Sequence, residues 1–124
     1  MRVVIQKPLP REEFMREARS TVFFESCVDE ELRNVSVESG LVGTPVAKVV
    51  FPQFWGRQDY TEEELLVAPD FKTLVGRLAE CLREPEECKS RYGAAANRFV
   101  KEKRNWDAVK NDLVKTIRRF IDNG

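Results

Sequence analysis

The stretch from Glu30 to Val46, EELRNVSVESGLVGTPV, constrains the fold of this chain more than any other. It predicts a helix that opens on acidic residues, runs about three and a half turns and stops at Gly43. Glycine suits the position just past a helix end, because it enters the left-handed region without a Cβ clash. Pro45 has no N–H and biases Thr44 toward extended geometry, so the helix cannot resume. The run VAKVVF that follows has the β-branched density of a buried strand. Helix, tight turn and buried strand in this order belong to α/β architecture.

Two carboxylates, Glu30 and Glu38, stand eight residues apart in this stretch. On one continuous helix they would lie about 12 Å apart along the axis and differ by roughly 80° in facing, so both could look toward one cleft. Ser26, Cys27, Val28 and Asp29 form the loop that leads into the helix from a strand at Thr21 to Glu25. Ligands of open α/β sheets bind beyond the carboxyl ends of strands. A helix N-terminus adds N–H donors suited to a phosphate.

These residues carry a family resemblance. Glu, seven residues, Glu, small and apolar residues, then Gly-Thr-Pro-Val resembles the signature of the retaining, GT-B-fold glycosyltransferases of the family 4 type. Glu30 and Glu38 fall at the two Glu positions, and Gly43-Thr44-Pro45-Val46 matches letter for letter. The resemblance implies a Rossmann-like α/β fold, with a small mostly parallel sheet, flanking helices and a helical carboxyl-terminal third. It reads residues 1–124 as a single domain similar to the second half of the family's carboxyl-terminal domain. An excised fragment, one piece of a split enzyme and a degenerate relative are all compatible with that span.

The resemblance also implies an activity: binding of a UDP- or GDP-sugar donor and retaining transfer of the sugar to an unknown acceptor. Glu30 would be the catalytic residue and address the donor sugar, and Glu38 would hold the ribose. A carboxylate accepts two hydroxyl hydrogen bonds at once, and charge-assisted bonds are roughly twice as strong as neutral ones. Leu32, Arg33 and Asn34 would occupy the turn whose backbone N–H groups cradle the diphosphate, and Thr44 completes the expected substrate-binding set. No metal or other cofactor is implied. The family usually has Pro-Phe-Gly after the first Glu, where this chain has Glu31-Leu32-Arg33. Arg33 either crowds the approach of a ligand or neutralises the phosphates itself.

Composition narrows the alternatives. The chain has 124 residues, enough for one domain with a real core. Its 21 Lys and Arg balance 21 Asp and Glu, which argues against a dedicated nucleic-acid binder. It contains no histidine, which removes Ser-His-Asp and Cys-His catalysis and His-ligated zinc. No signal peptide and no apolar run of membrane-spanning length is visible. Cys27, Cys81 and Cys88 form an odd, widely spaced set that suits a reducing cytoplasm and reads as core or incidental.

The remaining elements follow from periodicity. Arg2 to Ile5 and Glu64 to Ala68 read as strands, and a helix runs from Pro10 to about Arg19 with Phe14, Met15 and Ala18 apolar. Asp70 caps a helix carrying Leu74, Leu78 and Leu82 on one face, and Pro85 breaks it. A second helix covers about Glu86 to Glu102. A third, capped by Asn105, runs from Trp106 to Ile121 with Val109, Leu113, Ile117 and Phe120 as its core face. Phe51, Phe54, Trp55 and Tyr60 make an aromatic cluster that either stacks on a base or sugar or forms an interface, the interface being favoured. The rival to the enzyme reading is a non-catalytic interaction module on a half-Rossmann scaffold, completed by a partner chain or as a homodimer through an open sheet edge.

Overall fold

Side chains alternate across a strand, and in this chain both faces of the sheet are apolar. The computed structural model describes residues 10–17 and 22–123. Among them β1 (Phe23–Glu25), β2 (Val46–Val49) and β3 (Leu66–Ala68) form a parallel sheet in that order. Phe23 pairs with Val46 and Glu25 with Lys48, while Ala47 pairs with Leu66 and Val49 with Ala68. Val46, Val50, Leu65 and Val67 pack on one face with Ala96, Phe99 and Val100. Ala47, Val49, Leu66 and Ala68 pack on the other with Leu74, Cys81 and Cys88. Burial on both faces is what an all-parallel sheet requires, and it explains the unbroken apolar runs.

Helices supply the two covers. α1 (Arg11–Glu17) sets Phe14 edge-on against Phe23, with ring centroids 6.0 Å apart. α2 (Asn34–Leu41) connects β1 to β2 and lies on the first face beside α5 (Ala94–Lys103). α3 (Phe71–Arg83) covers the second face and is capped by the Asp70 side chain, which accepts from the Thr73 N–H at 2.7 Å. α4 (Pro85–Cys88) continues through a π-helical turn (Lys89–Gly93) into α5, and α6 (Trp106–Asn123) ends the described chain. The result is α/β with a small parallel sheet, a Rossmann-like arrangement at the coarse level.

The α2–α5 contact depends on two glycines. A Cβ at Gly40 would lie 2.8 Å from Val100 Cγ2, so only glycine lets the helices approach this closely. Gly93 sits against the Gly43 carbonyl and Pro45, and a Cβ there would overlap that oxygen. Asn97 of α5 donates to the carbonyls of Gly40 and Leu41 at 3.2 and 2.9 Å, satisfying acceptors left over at the end of α2. Gly43 has φ +78°, as the helix stop requires.

Several expectations need correction. The helix expected from Glu30 begins only at Asn34, because Arg33 is extended (φ −75°, ψ 161°) and its N–H donates to Glu25 rather than into a helical turn. Residues 30–33 are loop, so the facing argument for Glu30 and Glu38 on one helix does not apply. The expected core face of α6 is exposed: Val109, Leu113, Ile117 and Phe120 are 44 to 80% accessible. Periodicity identifies an apolar face but not what covers it, and among the described residues α6 packs chiefly against α5. Cys81 and Cys88 are core residues as expected, but they are also joined in a disulfide with Cα atoms 5.1 Å apart. Pro85 opens α4 after the break at Glu84, and the reversal brings the two cysteines together.

The aromatic cluster is divided between the two cores rather than gathered at an interface. Tyr60 meets Phe99 edge-on at 5.9 Å and Phe51 meets Phe71 at 6.0 Å, Phe54 packs on the first core, and Trp55 stays exposed. The strand expected at Arg2 to Ile5, and Ala18, Arg19 and Thr21, lie outside the described residues.

Candidate functional site

Lysine is among the residues least tolerant of burial, and the Lys48 side chain is 0% accessible. Its partner is the residue beside it in register, Glu25, itself only 3% accessible, with Lys48 Nζ 2.7 Å from Glu25 Oε2. The approach to Oε2 is a charge contact without hydrogen-bond direction. Lys48 Nζ directs a hydrogen bond to the Glu31 carbonyl instead. The other oxygen, Glu25 Oε1, accepts from the Arg33 N–H and from Ser36 Oγ, both at 2.7 Å. The pair therefore ties the carboxyl ends of β1 and β2 to the start of α2.

Residues 26–33 form the loop above this pair. Tyr60 Oη donates to the Glu30 carbonyl at 2.8 Å. Burial, followed by the nearby Glu25 carboxylate, pushes the Tyr60 phenol well above its ordinary value, so it stays a donor. Lys48 and Tyr60 thus hold two successive carbonyls, those of Glu30 and Glu31, from beneath. In a trans peptide the N–H points opposite to the C=O, so the amide of Leu32 is turned away from Lys48. Arg33 braces the outer side: Nε donates to Cys27 Sγ at 3.3 Å, and the two terminal nitrogens pair with Asp29 at 2.9 Å and Glu31 at 2.7 Å. The Cys27 contact, then Asp29, raise the guanidinium above its ordinary value.

The structure brings some of the expected residues together and separates others. Glu30, Leu32, Arg33 and Asn34 share the loop and the first position of α2. Glu30 is half-buried, Asn34 is exposed, and Leu32 turns its side chain to the first core. Glu38 is half-buried one turn into α2, about 6 Å along the axis from Asn34. Thr44 does not join them: it is buried at the amino end of β2, beyond the far end of α2. Sequence reading missed Glu25, Ser36 and Lys48, which build the floor of the site, and placed Tyr60 in an aromatic cluster rather than beneath the Glu30 carbonyl. The available signal was Lys48 itself, a charge inside VAKVVF that needs a carboxylate of matching register.

Chemically, the rim is acidic. Asp29, Glu30 and Glu31 outnumber Arg33, and Glu25 and Lys48 offset each other. Carboxylates at a solvent-facing rim are acceptors for hydroxyl groups, and backbone amides at a helix start are donors for an anion. Among the described residues no group of three or more Cys, Asp or Glu is arranged to hold a metal ion, and no helix is long and apolar enough to cross a membrane. No protein-family model, curated protein or solved structure matches the chain.

Proposed function

We propose that the chain binds a nucleotide-diphospho-sugar donor and serves a GT-B-type glycosyltransferase reaction as the donor-side half, with retaining transfer to an acceptor held elsewhere. One observation carries this reading. A parallel sheet directs the Glu30 loop past the carboxyl ends of β1 and β2 and straight into the helix that bears Glu38. That is where open α/β sheets take their ligands. In this reading Glu30 accepts hydroxyls of the sugar and is the catalytic-site carboxylate. Glu38 accepts hydroxyls of the ribose, and the amides around Leu32 and Asn34 face the diphosphate. Arg33 offsets phosphate charge from its braced position between Asp29 and Glu31. A UDP- or GDP-sugar is the donor that the resemblance implies; the carboxylates read its hydroxyls and leave the base to other contacts.

Calorimetric titration of UDP- and GDP-sugars into the chain tests the proposal. Saturable binding is expected, weakened roughly 10- to 100-fold in Glu38→Ala, the effect of losing a hydrogen bond to a charged group. Glu63→Ala, exposed and away from the loop, should bind like the wild type. Absence of saturable binding at millimolar donor, or equal binding by Glu38→Ala, refutes the donor site.

A further inference from the structure

The apolar face of α6 is the largest uncovered hydrophobic feature among the described residues. Trp106, Val109, Leu113, Ile117, Phe120 and Ile121 recur at three- and four-residue spacing, and each is 44 to 80% accessible. Taken with residue surfaces of ~150–250 Å², these fractions leave roughly 700 Å² of exposed stripe per chain. Monomeric proteins rarely leave a contiguous patch of that size uncovered.

We propose that α6 is the interface of an antiparallel homodimer, pairing with α6 of a second copy of this chain. Area and charge both point to this occupant. Fully covered, two such stripes would bury up to roughly 1,400 Å², which reaches the range of about 1,200–2,000 Å² for stable interfaces. At about 100° per residue, Asp107 and Arg118 fall on one flank of the stripe, roughly 20° apart in facing. Asp112 and Arg119 fall on the opposite flank, again roughly 20° apart. All four are exposed. A two-fold axis crossing near Leu113 brings each flank against its own reversed copy. Asp107 of one chain then meets Arg118 of the other, within about 1.5 Å of axial register and twice by symmetry, against a single approach of Asp112 to its own copy. Parallel pairing instead sets Arg118 of one copy against Arg119 of the other, a like-charge contact. The antiparallel arrangement also opposes the two helix dipoles favourably.

Because these side chains are exposed in the single chain, changing them should leave the fold intact. Sedimentation equilibrium of the full chain, whose mass is 14.4 kDa, should give a dimer. Leu113→Glu should halve the sedimenting mass with an unchanged far-UV circular dichroism spectrum. Asp107→Arg should raise the dimer dissociation constant roughly tenfold, and the exchange Asp107→Arg with Arg118→Asp should restore it. A monomeric wild type, a dimer indifferent to Leu113→Glu, or a charge exchange that fails to restore association overturns the proposal. The last outcome in particular separates this interface from pairing through the sheet edge.

Discussion

Removing the ammonium of Lys48 while leaving Glu25 in place strands a carboxylate inside the fold. Lys48→Met keeps the approximate volume of the aliphatic stem and deletes the charge. Both partners are essentially inaccessible, at 0% and 3%, so solvent screening does not soften the loss. Glu25 Oε2 loses its only counter-charge within 4.0 Å among the described ion pairs, and the Glu31 carbonyl loses its donor. Breaking one side of a buried pair costs about 3–5 kcal/mol, a large share of the 5–15 kcal/mol that stabilises a typical domain. With a urea dependence of about 2 kcal/mol per molar, the unfolding midpoint should fall by roughly 2 M. Glu25→Gln retains Oε1 as acceptor for the Arg33 N–H and Ser36 Oγ while removing the charge. Adding it to Lys48→Met should therefore return about 1–3 kcal/mol. Urea unfolding of the single and double variants, followed by circular dichroism, measures both quantities. A loss under about 1 kcal/mol in Lys48→Met, or a double variant no more stable than that single, refutes the stranded-charge argument.

Other outcomes follow from the same contacts. Gly93→Ala forces a Cβ onto the Gly43 carbonyl, a backbone atom that cannot rotate away, and should cost about 1–3 kcal/mol in thermal or urea unfolding. Gly76→Ala, inside α3 with open space around it, should instead stabilise by about 0.5–1 kcal/mol. Cys88→Ser opens a disulfide spanning seven positions and should cost about 2–3 kcal/mol by loop-closure entropy, with a matching loss when the wild type is unfolded under reducing conditions. Arg104 holds the Asp59 carboxyl below its ordinary value of 3.8 through a hydrogen bond. The folded state thus binds fewer protons than the unfolded one in acid. The resulting stability is present above pH 3.8 and is lost as pH falls through the lowered value. Asp59→Asn should lack this component, so the stability gap between wild type and variant should close on acidification.

Local chemistry made part of the fold legible. The left-handed Gly43 and the strand after Pro45 follow from residue types alone. So does the Asp70 cap, and so does the Asn105 cap, whose side chain accepts from the Ala108 N–H at 2.8 Å. The candidate site was only half legible. Its rim, from Glu30 to Asn34, sits in one stretch of sequence, but its floor does not. Glu25 meets Lys48 only through strand register, and Tyr60 reaches the Glu30 carbonyl from thirty positions away. The start of α2 was misread for the same reason. An acidic run before an apolar period resembles a helix start, until a buried carboxylate from β1 claims the Arg33 N–H.

What the sequence determined by itself is therefore the set of local conformations: where helices stop, where strands run buried on both faces, and which face of each helix is apolar. Steric preference and side-chain period act within a few residues, so they can be read in one dimension. Only the tertiary structure decided which faces are covered. It matched Lys48 with Glu25, closed Cys81 on Cys88, divided the aromatic residues between two cores, and left the apolar stripe of α6 facing solvent. Those outcomes depend on register and on what lies across the sheet, and the energy of burying a group depends on its partner more than on its own identity.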